Sequence, residues 1–200
     1  MIDRGCIQSP QVNIRAANVS DIPFIQGIAR STWADTYRGV IPEDAQAAVL
    51  NQAYSKGALS ISIGRNQAFL VAEVRDTPGT ESSTLAAYVD VDADFDGQQM
   101  NLHRLYVLPQ YQRLGLGRRL FEAAIQSTLG RMYERPDEPI PIVAHVERDN
   151  PRARAFYRKM GFIEGDEEIV VIGGISLPVI RISMTIKGDG RVPKNRPDCR

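Results

Sequence analysis

The sequence predicts an α+β domain built on a mixed, mostly antiparallel sheet of about six to seven strands flanked by helices, and three observations point to it. Two apolar, β-favouring segments, residues 67–74 and 84–91, are joined by the turn residues Asp76-Thr77-Pro78-Gly79, and a second turn at Asp96-Gly97 leads into a third segment, residues 99–108. Segments with apolar residues spaced three and four apart stand before and after this meander. A later apolar run, residues 140–146, is followed by a short helical pattern and a closing hairpin. The predicted order is strand, two helices, three strands, helix, strand, helix, two strands.

Each element has a local reason. Residues 1–11 carry no periodicity and, like the polar, Gly- and Pro-rich stretch 187–200, read as flexible tails, which leaves 12–186 as a single domain. Val12-Asn13-Ile14-Arg15 alternates as a strand does. Ser20 and Asp21 offer N-cap oxygens to a helix with Pro23 in its first turn, and Ile22, Ile25, Ile28 and Ala29 recur at helical spacing. That pattern runs on through Trp33 and Tyr37, one turn apart on one face. Gly39 and Pro42 interrupt it, and Glu43-Asp44 open a second helix extending through Ala47, Val49 and Leu50. Beyond the meander, Arg118 to Leu129 has a helical pattern with Gly130 as its expected stop, and Tyr133 to Pro139 reads as a loop. Residues 140–146, with a proline near the start, suit a short buried strand. Asn150 is a good N-cap and Pro151 a good first residue for a brief helix in which Ala153, Phe156, Tyr157 and Met160 share one face before Gly161 ends it. Residues 168–172 and 178–186 then pair across Gly173-Gly174.

Composition narrows the function classes. The 200 residues are 43% hydrophobic and 24% charged, ordinary values for one domain with its own core. Formal net charge is zero and the sequence pI is about 6.7, so no global field draws the chain to nucleic acid or to an anionic membrane, and no apolar run approaches the length of a membrane span. Locally the balance differs: from Arg104 to Lys159 eleven Arg and Lys stand against six Asp and Glu, which favours an anionic ligand there. Cys6 and Cys199 lie near opposite ends with no metal-ligand spacing, the start lacks the apolar core of a signal peptide, and the expected compartment is the cytoplasm.

The stretch with most chemistry is Gln112-Arg113-Leu114-Gly115-Leu116-Gly117, between the apolar Leu105-Tyr106-Val107-Leu108-Pro109 and a helix start. Glycines permit close backbone approach, and the unpaired N–H groups of a helix N-terminus suit a phosphate. Gln112-x-x-Gly115-x-Gly117, and downstream Asn150-x-x-Ala153-x-x-Phe156-Tyr157-x-Lys159-x-Gly161-Phe162, occur in the order and spacing of the two signatures of the GNAT superfamily of N-acetyltransferases. The chain resembles that superfamily over roughly residues 12–186.

The resemblance implies a GNAT fold and acetyl-coenzyme A as cosubstrate, with the pyrophosphate on backbone N–H groups from Gln112, Arg113, Leu114, Gly115, Leu116, Gly117 and Arg118. The pantetheine arm would lie beside Leu105, Tyr106 and Val107 as an added strand, with Asn150 and Tyr157 also near the cofactor. Arg113, Arg118 and Arg119 would stand near the nucleotide. Direct attack by an amine on the thioester is the implied reaction, a backbone N–H near Val107 binding the oxyanion and Tyr157 acting as general acid to the departing sulfur. Where relatives often carry Glu for the base, this chain has Asn101. His103 is the candidate base, with Glu73, His145 or a water chain ending in Asp90 or Asp92 as alternatives. Trp33 and Tyr37 are acceptor-side candidates that core packing explains equally well. The acceptor is expected to be a small-molecule primary amine, with a protein lysine or N-terminus as the alternative, and a non-catalytic acyl-coenzyme A-binding module as the rival of another class. Family members often dimerise, so the resemblance allows a homodimer, while the residues themselves do not specify the oligomeric state. Asp92-x-Asp94-x-Asp96-Gly97 imitates a calcium loop, but His103 occupies the twelfth position and strands replace the flanking helices, so no metal is expected.

Overall fold

The structure, a computed structural model, describes residues 10–39, 41–66, 68–75, 82–94, 99–131, 139–172 and 174–187. Most of both expected tails, the turns at Asp76–Gly79 and Asp96–Gly97, most of the loop from Tyr133 and the hairpin residue Gly173 lie outside the described residues. Seven strands form one sheet in the order β1-β2-β3-β4-β5-β7-β6: β1 (Gln11–Ala16), β2 (Ala68–Arg75), β3 (Thr84–Ala93), β4 (Met100–Val107), β5 (Ile140–Glu147), β6 (Ile163–Ile172) and β7 (Ile175–Ile186). Neighbours are antiparallel except β4 and β5, which run parallel. The mixed, mostly antiparallel α+β architecture is therefore as expected.

Helices cover both faces, which explains the nearly continuous apolar character of β2 and β3. Helix α4 (Leu116–Arg131) lies on one face, its Leu120, Phe121, Ala124 and Ile125 packed with Leu70, Ala72, Val89, Met100, Leu102 and Ile142. On the other face α1 (Ile22–Thr36) sets Ile22, Ile25, Ile28 and Ala29 against Phe69, Val71 and Tyr88. Each such Leu, Ile, Val, Met or Phe side chain contributes about 1.5–3 kcal/mol on full burial. A third cluster joins Trp33 of α1 and Val49 of α2 (Glu43–Ala53) to Leu177 and Val179 of β7.

Several local expectations are corrected. A third helix, α3 (Lys56–Arg65), stands between α2 and β2. Its Gly57 and Gly64, two serines and two isoleucines have weak helix propensity, so tertiary packing of Leu59 and the Ser55 cap, whose side chain accepts from the Ala58 N–H, hold it instead. Ser20 and Asp21 do not cap α1 through their side chains. Asn18 caps a preceding 3₁₀ turn, and Asp21 is drawn back to the Asn18 N–H and to Arg15, whose guanidinium grips it at 2.7 and 2.9 Å and holds its carboxyl below the usual range. Gly130 lies inside α4, which runs on to Arg131. Strand β6 begins at Ile163 and passes through a register irregularity between Glu164 and Glu167, which the low β-propensity of Gly165-Asp166-Glu167 conceals in the sequence.

Candidate active site

The site is built on a failure of pairing. Strands β4 and β5 pair only over Met100–Leu102 and Ile142–Ala144, yet β4 runs on to Val107 and β5 to Glu147. The register of β3 and β4 shifts between Asp90 and Val91, leaving His103 as an extra residue on β4, and a bulge of this kind bends a strand and increases its twist. Strand β5 meanwhile keeps unbroken register with β7 up to Glu147↔Val179. The two halves of the sheet diverge just past Leu102 and Ala144, opening a wedge between them.

Backbone groups face into that wedge. Alternate strand residues turn their N–H and C=O to opposite neighbours, and the Leu108 N–H donates to the Ala86 carbonyl of β3 at 2.9 Å, so Val107 and Leu105 direct theirs to the open side. The Val107 carbonyl accepts from Gln112 Nε2 at 3.0 Å, and Gln112 Oε1 accepts in turn from Arg152 at 3.3 Å.

Above the wedge, residues 112–115 turn the chain into α4 through two left-handed conformations, Arg113 at φ 63° and Gly115 at φ 76°. The first backbone N–H groups of α4 have no partners within the helix, so this corner can hold an anion. The two glycines serve different ends. Gly115 supplies its φ, with open space where a Cβ would stand, whereas a Cβ on Gly117 would meet the Phe156 ring at 3.2 Å and Val107 at 3.6 Å. Gly117 therefore lets α4 lie against α5 (Pro151–Met160) and β4. Among the arginines, Arg118 pairs with Glu122 at 2.8 Å on the same helix.

Helix α5 begins as expected: the Asn150 side chain accepts from the Ala153 N–H at 2.9 Å, and Gly161 ends it at φ 101°. Tyr157 lies edge-on to Phe156 and Phe162, with ring centroids 5.3 Å away in each case. Burial raises the pKa of its hydroxyl, with the Tyr106 hydroxyl adding to the effect, so it stays protonated at neutral pH. Tyr106 accepts from Trp33 Nε1 at 3.3 Å, and the Trp33 and Tyr37 rings lie 4.8 Å apart. Trp33, Tyr37, Tyr106 and Tyr157 thus converge from α1, β4 and α5.

The candidate bases separate. His103 stands at the bulge with Nε2 3.1 Å from Asp92, and Asn101 Nδ2 donates to the other oxygen of the same carboxylate at 3.2 Å. Asn101 thereby orients the carboxylate that holds His103. His145 of β5 is 3.3 Å from Glu168. Glu73 is bound to Arg15 on the β1 side of the sheet, and Asp90 is fully buried against Arg104 and Asn66, so neither faces the wedge. Sequence reasoning missed Glu147, which ends β5, is half-buried, and accepts from the Asp149 N–H at 3.0 Å. An acidic residue closing an apolar strand was the available signal.

A wedge of unpaired strand beside an anion-binding turn suits a long, thin acyl carrier that ends in phosphates, which is the layout of a coenzyme A-dependent transferase. The acetyltransferase (GNAT) domain family matches residues 65–164, half of the chain, and the chain belongs to the GNAT acetyltransferase family. Over 153 residues it is 27% identical to spermidine N(1)-acetyltransferase of Thermoplasma acidophilum, spanning 76% of this chain and 88% of that protein. The PaiA N-acetyltransferase of Thermoplasma acidophilum, solved in complex with coenzyme A, has a TM-score of 0.68 at 24% identity, covering 86% of this chain and 98% of that one. The ribosomal-protein-S18-alanine N-acetyltransferase of Escherichia coli has a TM-score of 0.58 at 20% identity over 94% and 99%. Acetyl-coenzyme A is accordingly the acyl donor. No cluster of metal-ligating side chains occurs among the described residues, and no helix among them is long and apolar enough to cross a membrane.

Proposed function

We propose that this chain is an N-acetyltransferase that moves the acetyl group of acetyl-coenzyme A to a primary amine of a small-molecule acceptor, by direct attack in a ternary complex. The observation that carries the reading is the Val107 backbone facing the wedge with its carbonyl already taken by Gln112, which leaves its N–H to meet a ligand. Pyrophosphate would rest on the N–H groups of residues 112–118, pantetheine would run beside Leu105 to Val107, and Asn150 would border the cofactor while capping α5.

The amine nitrogen attacks the thioester carbon, the C–N bond forms, and the oxyanion takes the Val107 N–H, a donor of a kind worth about 3 kcal/mol. Collapse breaks the C–S bond, and Tyr157 protonates the leaving thiolate. The amine proton leaves to His103. His103 lies about 13 Å along β4 from Val107, so the transfer runs through water, with Asp92 and Asn101 fixing the imidazole. Trp33 and Tyr37 border the acceptor. Burial of Leu177 and Val179 against Trp33 brings β7 close over this face, which favours a compact acceptor over a protein chain. The spermidine acetyltransferase relative supports an amine acceptor of this kind.

Thiol release from acetyl-coenzyme A across a panel of polyamines, monoamines and peptides tests the reading. Tyr157→Phe is expected to lower kcat by about 100-fold while retaining cofactor affinity. Tight cofactor binding without turnover on any acceptor would instead identify a binding module.

A further inference from the structure

Resting on the amine-acceptor reading above, we infer that Glu147, with Tyr37 and Trp33, forms a second cation subsite in the acceptor cleft, so that the preferred substrates carry another ammonium besides the one acetylated.

The register of β5 places the carboxylate. Ile142, Ala144 and Val146 turn into the core beneath α4, so Glu147 turns to the opposite face. Its partner across the ladder is Val179, and directly opposed residues share a face. Val179 is packed in one cluster with Trp33, Tyr37 and Tyr106, which sets the Glu147 side chain at the rim of that aromatic group. Burial, then the Tyr106 hydroxyl, then the Glu147 charge raise the pKa of the Tyr37 hydroxyl, as expected of neighbours. The Tyr106 hydroxyl likewise adds to the effect of burial in raising the pKa of Tyr157. Tyr106 accepts from Trp33 Nε1 and the Trp33 ring packs on Tyr37, so the aromatic group runs from Tyr106 through Trp33 to Tyr37 at the Glu147 rim.

The cation at this corner, Arg148, favours the Glu147 charge but is shared with other carboxylates. Glu147 makes no ion pair among the described residues, and its neighbour Arg148 is committed to Asp149 at 2.9 Å and Glu167 at 2.8 Å. Burial lifts the Glu147 pKa. A half-buried carboxylate without an ion pair of its own is costly to a fold, and a bound ammonium would relieve it. The partly exposed Tyr37 ring, backed by buried Trp33, offers the kind of face that organic cations seek.

The test compares wild type with Glu147→Gln, which keeps shape and the acceptor for the Asp149 N–H but removes the charge. Putrescine and spermidine are compared with monoamines of equal chain length, and calorimetry of putrescine binding to the coenzyme A-saturated protein is measured alongside. The substitution is expected to shift the diamine-to-monoamine ratio of kcat/KM by about tenfold or more, chiefly through KM, and to weaken putrescine binding similarly. Coenzyme A affinity reports folding of the variant. Equal losses on diamines and monoamines, or no loss on either, would overturn the subsite while leaving the N-acetyltransferase reading in place. Glu147-dependent putrescine binding without turnover of any amine would do the reverse.

Discussion

Gln112 is hydrogen-bonded through Nε2 to the Val107 carbonyl at 3.0 Å, so the side chain that opens the glycine turn also closes the open edge of β4. Because its Oε1 accepts from Arg152, one amide joins β4, the turn and α5. Gln112→Leu keeps the volume and removes both bonds. It is expected to weaken coenzyme A binding about tenfold, measured by calorimetry, because the Val107 carbonyl is left unpaired and the cofactor edge loses its fixed geometry. Unaltered affinity would remove Gln112 from the cofactor site.

Gly115 and Gly117 should respond to substitution for different reasons. Gly115→Ala forces a Cβ onto a φ of 76° with free space around it, a strain of about 1 kcal/mol read by thermal unfolding. Gly117→Val drives its branches into Phe156, the neighbour of Tyr157, with an overpacking cost of about 1–3 kcal/mol. Its kcat should fall along with its stability. A Gly117→Val enzyme with wild-type kcat would show that the α4–α5 contact does not position the acid.

Asp21 supplies an acid-sensitive element. Arg15 lowers its folded pKa, so its contribution is present above the ordinary Asp value near 4 and is lost as pH falls through the lower folded value. Asp21→Asn should destabilise by about 1–3 kcal/mol at pH 7, measured by denaturant unfolding, and the gap to wild type should close as the pH drops below about 4. A gap that persists in acid would mean that shape rather than charge matters there.

Glu147 has the opposite sign. Its folded pKa is raised by burial, so the charged form costs stability once the pH exceeds the ordinary Glu value, and protonation in acid relieves it. Glu147→Gln should therefore unfold at a temperature no lower than wild type at pH 7, with any advantage vanishing below about pH 4. A lower melting temperature at pH 7 would recast Glu147 as a structural residue.

Much of this was legible from local chemistry. The Asn150 cap, Pro151, the left-handed Gly161 and the Gln112–Gly117 turn are written in single residues whose backbone demands are strong. Helix α3 was not, because Lys56–Arg65 is held by its packing rather than its propensities. Nor was the divergence of β4 from β5, which depends on a bulge at His103 that only the register with β3 reveals. Gly117 reads as a residue of ligand approach in the sequence, and the fold adds that it lets α4 pack against Phe156. Asn101, which looked like a lost base, is an orienter of Asp92. Glu147 escaped notice because its neighbours arrive from α1 and β7, distant in the chain.

The three residue pairs that join β4 to β5 are all that stitch the parallel seam of the sheet. Strands β1 to β4 form one half of the sheet, and β5, β7 and β6 the other, joined at Met100–Leu102 and Ile142–Ala144 and by the core they share beneath α4. A pantetheine arm laid into the seam would act as a spline, adding backbone contacts where the polypeptide omits them. Donor loading and mechanical stiffness would then be one event, with the resistance of the two halves to shear rising as the cleft fills and falling when free coenzyme A departs.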